Sequence, residues 1–111
     1  MSLLQSANVS ISTINENTIV TAVANSTIKV YKALILNGAA SAQTVTVKDK
    51  ASGNTIATLT LPSSIGNGYN LGDGNVSDSP LFITQAGGAL IFNLSAATQV
   101  SGFILYEVTG A

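Results

Sequence analysis

Apolar and polar residues alternate with a period of two along most of this chain, and no segment sustains an apolar period of 3.6. The densest apolar stretch, residues 86–106, reads as two strands joined by a short connection of small residues. In the first, Leu90, Phe92 and Leu94 share one face and Ile91, Asn93 and Ser95 the other; in the second, Val100, Ile104 and Tyr106 oppose Phe103 and Leu105. A sheet with one wet side does not require apolar residues on both faces, so either both faces are covered within the chain or a partner subunit covers one.

Upstream, residues 9–14 and 18–23 give short β-branched runs around Asn15-Glu16-Asn17, which reads as the turn between them. Residues 27–37 form the longest strand candidate. Ile28 and Val30 share a face with Leu34 and Leu36 only if Lys32 joins them, which predicts a bulge or a change of burial near Tyr31 to Ala33. Residues 43–50 alternate cleanly, with Val45 and Val47 inward, and return through a turn at 51–54 into 55–61 as a hairpin. At its tip Lys48, Asp49 and Lys50 read as solvating charges rather than a binding site.

Residues 62–79, with four glycines and Pro62, break the periodicity and read as one long surface loop. Loops beyond roughly 12 to 15 residues usually carry function or are ordered by a partner. Pro80 then opens a short strand at a sheet edge. Seven or eight short strands predict an all-β fold, a single antiparallel β-sandwich of jelly-roll-like or immunoglobulin-like order. The chain divides into an N-terminal arm with leading strands, residues 1–26, and a sandwich body, residues 27–111, within one domain.

Composition changes this picture in one respect. Charged residues make up 8% of the 111 residues, against the roughly 25% usual for globular domains. Serine, threonine and asparagine supply 13, 12 and 10 residues, so short uncharged polar groups form the surface. With a net charge of −1, little electrostatic repulsion keeps copies apart, which fits a chain that lives in an assembly.

The same composition limits the chemistry. There is no Cys and no His, which removes Ser-His-Asp and Cys-His catalysis and the commonest zinc sites. Four lysines against five carboxylates give no basic field for nucleic acid, and no apolar run approaches the about 18 residues of a membrane-spanning helix. The five carboxylates, Glu16, Asp49, Asp73, Asp78 and Glu107, read as solvated charges rather than a glycosidase pair. Asp73, Asn75 and Ser77 match the first oxygen spacings of a calcium loop, but Asp78 and Thr84 stand where that loop needs Gly and Glu, so the segment reads as a turn cluster. The expectation is a soluble, non-enzymatic protein made in a host cytoplasm, without cofactor, metal, nucleic-acid or membrane partner.

From Thr27 onward the order of features resembles small structural proteins of tailed-phage virions. The resemblance runs over the strand 28–37, the hairpin Thr44-Val-Thr-Val-Lys48 to Thr58-Leu-Thr-Leu61, the glycine-rich loop, Pro80-Leu81, and the closing hairpin Asn93-Leu-Ser-Ala-Ala97 to Gly102-Phe-Ile-Leu-Tyr106. It covers about three quarters of the chain. What it implies is a capsid decoration (cement) protein on the outside of the virion, a homotrimer that stabilises the head by bridging subunits of the major capsid protein. In that setting Phe103 and Leu105 are the candidates for the interface between copies of the chain, Leu3 and Leu4 are the interface candidates of the arm, and the residue 1–8 arm and the 63–79 loop touch the shell. The alternative is a fibre, tail or carbohydrate-binding module in which Tyr69, Asp73 and Asn75 of that loop contact the ligand.

Overall fold

The computed structural model describes residues 4–73 and 79–110. Nine strands lie among them: β1 (Gln5–Ile11), β2 (Asn15–Val20), β3 (Ser26–Asn37), β4 (Gln43–Lys48), β5 (Thr55–Leu61), β6 (Gly68–Leu71), β7 (Phe82–Ile83), β8 (Leu90–Leu94) and β9 (Val100–Gly110). They form two antiparallel sheets, one ordered β1-β9-β3-β6 with β7 also on β3, the other ordered β2-β8-β4-β5. The chain is an all-β sandwich.

β6 pairs with Ala33 to Leu36 of β3, and β7 with Lys29 and Val30, on the same edge and in the same direction. They are two pieces of one interrupted strand, so eight strands in effect wind back and forth between the sheets. Except for the β4–β5 hairpin, every connection crosses from one sheet to the other, which is the jelly-roll order rather than the immunoglobulin one.

Three sequence expectations change. Asn15-Glu16-Asn17 is not a turn but the start of β2, with Asn15 at φ 75°, and β1 and β2 pair with β9 and β8 in opposite sheets. The 90–94 and 100–106 strands likewise form an arch between sheets and not a hairpin. The 62–79 loop is broken by β6, whose Tyr69 and Leu71 pack on the core. In the first two cases local alternation is the same whether a strand pairs with its sequence neighbour or crosses the core to the other sheet; β6 is four residues long, too short to show a period among the glycines around it.

The core is the inner surface of both sheets. Leu90, Phe92 and Leu94 of β8 and Val45 and Val47 of β4 face Ile35 of β3 and Ile104 of β9 across it, all fully buried. Burying side chains of this size contributes about 1.5–3 kcal/mol each. The longest ladder joins β3 to β9, and its register slips between Val30 and Lys32, where the sequence places a bulge. The extra residue, Tyr31, reverses the alternation: Ile28 and Val30 point inward before it, Ala33 and Ile35 after it, and Leu34 and Leu36 turn outward.

Close approach of β9 to β3 depends on Gly102. Its φ is 147°, and a Cβ there would run into the carbonyl oxygen of Leu34. Only glycine adopts this backbone without strain and leaves room for the neighbouring strand. Gly102→Ala is expected to destabilise the fold by about 3 kcal/mol or more, measured as a fall in the urea midpoint at unchanged slope; a midpoint equal to wild type would rule out this role.

Candidate functional site

The two outer faces of the sandwich differ in chemistry. On the four-stranded sheet the outward positions are Glu16 and Thr18 of β2, Asn93 of β8, Thr44, Thr46 and Lys48 of β4, and Thr58 and Thr60 of β5. The apolar exception, Ile91, lies between Thr18 and Lys48 and is only 1% exposed. Next to it Lys48 Nζ stands 3.2 Å from Glu16 Oε2, and Glu16 also accepts from the Ser52 N–H at 2.9 Å. This face is finished with hydroxyls, an amide and a closed ion pair.

The outer face of the five-stranded sheet is apolar at its centre. Cross-strand register puts Leu34 beside Phe103, Lys32 beside Leu105 and Leu36 beside Ser101. Leu34, Leu36, Phe103 and Leu105 are all half-buried, and Ile83 of β7 on the same face is 48% exposed. Around them stand Ser6, Asn8 and Ser10 of β1, opposite Leu105, Phe103 and Ser101, and Asn70 of β6, opposite Leu34. Lys32 is drawn aside, its Nζ donating to Asn70 Oδ1 at 2.8 Å and to the Gly72 carbonyl at 3.3 Å. The result is an apolar cluster with uncharged polar groups along its β1 side and with Lys32, Lys29 and Glu107 at its other end; an apolar centre inside a polar rim is the composition of a surface buried between proteins.

Tyr31, the bulge residue, is 6% exposed and donates its hydroxyl to Glu107 Oε1 at 2.9 Å. Desolvation, followed by the hydrogen bond and the charge of Glu107, holds its phenol above the ordinary tyrosine pKa.

Two buried amides fix the loops at one end of the sandwich. Gln43 Oε1 accepts from the N–H groups of Ser95 and Ala96 at 2.9 and 3.0 Å and from the Ser95 hydroxyl at 2.8 Å. Its Nε2 donates to the Ala96 carbonyl and to Thr98 Oγ1, both at 2.8 Å, so one side chain holds the whole β8–β9 connection. Asn37 Nδ2 donates to the carbonyls of Ser41 and Pro62 at 2.7 Å, tying the β3–β4 and β5–β6 loops together. At the other end Asp49 Oδ1 accepts from the Asn54 N–H at 3.0 Å and Oδ2 from Gln85 Nε2 at 3.1 Å. The expected solvating role therefore describes Lys50, which is exposed, but not Lys48 or Asp49, which organise the turn.

Of the residues singled out from sequence, Phe103 and Leu105 lie together on the apolar outer face, and Leu4 is 42% exposed just ahead of β1. Tyr69 stands in a strand, half-buried against the core, and donates its hydroxyl to the Thr60 carbonyl at 3.1 Å, so the protein itself engages its ring and hydroxyl. Asp73 is exposed after β6; Leu3 and Asn75 lie outside the described residues, as does most of the 73–78 turn cluster. Leu34 and Leu36, which complete the cluster, are missed by a reading of β9 alone; the parity change at the β3 bulge is the signal that finds them. Among the described residues no cleft or cavity forms, and no three carboxylates gather as metal ligands.

No family model, curated protein or solved structure matches the chain.

Replacing Gln43 with Leu is expected to cost about 3 kcal/mol, because the Ala96 N–H, the Ala96 carbonyl and the Thr98 hydroxyl lose their Gln43 partner, whereas the Ser95 N–H keeps the Thr44 carbonyl at 3.1 Å; hydrogen exchange at Ala96 should accelerate, and exchange there at the wild-type rate would refute the assignment. For Tyr31, a raised folded pKa means that its contribution to stability is complete below the ordinary tyrosine pKa and is lost as pH rises through the higher folded value. In an ultraviolet titration of the three tyrosines the last phenol to ionise should disappear in Tyr31→Phe, whose stability should also fall less steeply at alkaline pH.

Proposed function

We propose that this chain is a non-enzymatic structural subunit of a virion, of the capsid-decoration type, which seats the outer face of its five-stranded sheet on the shell of major capsid protein. The observation that carries this reading is the cluster of Leu34, Leu36, Phe103 and Leu105 at the centre of one outer face, while the opposite outer face is hydroxyl-rich. A surface that stays in water has no use for four neighbouring large apolar side chains, and a surface buried against protein draws its binding energy from such a centre.

Two further features support the reading. Jelly-roll sandwiches recur among viral capsid proteins, an analogy of architecture that lends weight without fixing function. A chain with 8% charged residues is also suited to dense packing among like neighbours. The carbohydrate-binding alternative draws no support from Tyr69, whose hydroxyl is already bonded to Thr60.

The test is co-sedimentation with purified, DNA-free heads of the virus that encodes the chain. Wild type should pellet with the heads at a fixed copy number. Phe103→Asp should weaken that binding about 30-fold or more, as loss of a central apolar contact does, with an unchanged melting curve. A wild-type chain that stays in the supernatant, or a Phe103→Asp chain that binds normally, would overturn the proposal.

A further inference from the structure

The sandwich has four exposed sheet edges, and three carry features that resist pairing with another strand. β2 begins at positive φ, carries Glu16, and slips in register between Thr18 and Val20. β5 ends at Pro62, pairs with β4 through a register shift, and has its Thr60 carbonyl occupied by the Tyr69 hydroxyl. The β6 and β7 edge is broken into pieces of four and two residues. Charge, bulges, proline and short length are the usual devices that keep an edge from recruiting another chain.

β1 has none of them. Its seven residues pair with β9 in unbroken register, from Gln5 opposite Tyr106 to Ile11 opposite Val100, and include no charge, proline or glycine. Two side chains are tied back onto the β9 side: Gln5 Oε1 accepts from the Tyr106 hydroxyl at 3.3 Å, and Ser10 Oγ accepts from Gln99 Nε2 at 3.1 Å. Among the described residues no backbone hydrogen bond joins β1 to any element but β9, so the other edge of its backbone is open.

We propose that β1 is the docking edge for β1 of a second copy, paired antiparallel about a two-fold axis at Asn8. The occupant follows from the sequence of the strand. About that axis Asn8 meets Asn8 and Ser6 meets Ser10 on the outer face, while Ala7 meets Val9 on the core side; these central pairs are matched in polarity, only the outermost pair, Gln5 with Ile11, is mixed, and none places like charges together. The contact is isologous, so each copy satisfies the open edge of the other and the assembly closes at two. Its axis is perpendicular to the sheet, which turns both apolar outer faces to the same side and makes one continuous surface of them. This two-fold pair replaces the trimer that the phage resemblance implies, and it stands or falls independently of the proposed seating on a capsid, because it concerns the free protein.

Native mass spectrometry and sedimentation equilibrium, from micromolar to millimolar chain, test it. Wild type should reach twice the 11.2 kDa chain mass. Asn8 is exposed, so Asn8→Lys and Asn8→Asp should melt as wild type does while each remains monomeric, since like charges then face each other across the axis. Mixing the two variants should restore a dimer made of one of each. Phe103→Asp should stay dimeric even if it no longer binds heads. A wild-type monomer throughout the range, a trimer, a dimer untouched by Asn8→Lys, or variants that do not recombine would each overturn the proposal.

Discussion

The ladder between β3 and β9 sets most of what this molecule presents to its surroundings. These are the two longest strands, they lie side by side inside the five-stranded sheet, and each has an inner face that closes the core. One added residue, Tyr31, decides the polarity of everything after it on β3. Because Tyr31 is taken up as a bulge, Ala33 and Ile35 complete the core and Leu34 and Leu36 join Phe103 and Leu105 outside; with Tyr31 paired in regular alternation instead, Lys32 and the large leucines would face inward and Ala33 outward. The bulge therefore serves packing and surface at once. Gly102 allows the two backbones to approach closely just beyond it, opposite Ile35.

Uncharged polar groups take over work that ion pairs and long side chains perform in most domains. Gln43 and Asn37 are nearly or wholly buried, yet their amide groups are engaged by backbone and hydroxyl partners, so they hold loops of Ala, Ser and Gly that have few side-chain contacts of their own. A buried amide is costly when unpaired and a strong constraint when paired. Thr84 repeats the device at a single point, where its buried hydroxyl accepts from the Ile28 N–H at 2.9 Å and carries the pairing of β7 with β3 one residue further. A scaffold tied this way keeps its shape without a charged coat, and leaves its surface free to pack against protein.

The candidate surface was half legible in the chain. Apolar residues on both faces of the last strand already separate Phe103 and Leu105 from the core set, because Val100 and Ile104 alternate with them. Leu34 and Leu36 were not assignable in the same way, since their side depends on where the bulge falls and which strand lies alongside. The amide anchors were not legible at all: Gln43 binds residues more than fifty positions away, and nothing in its neighbourhood marks it out from any other surface glutamine.

The sequence by itself determined the all-β class, the β4–β5 hairpin and the alternation that supplies a two-sheet core, because a period of two and β-branched residues are local properties of the chain. Only the tertiary structure decided which sheet each strand joined. A strand that folds back on its neighbour and one that arches across the core show the same alternation, and the choice between them is made by long-range pairing: β1 with β9, β2 with β8, and β3 with β9 are separated by most of the chain. It was the same long-range pairing that left β1 as an open edge and brought four apolar residues from two distant segments onto one outer face.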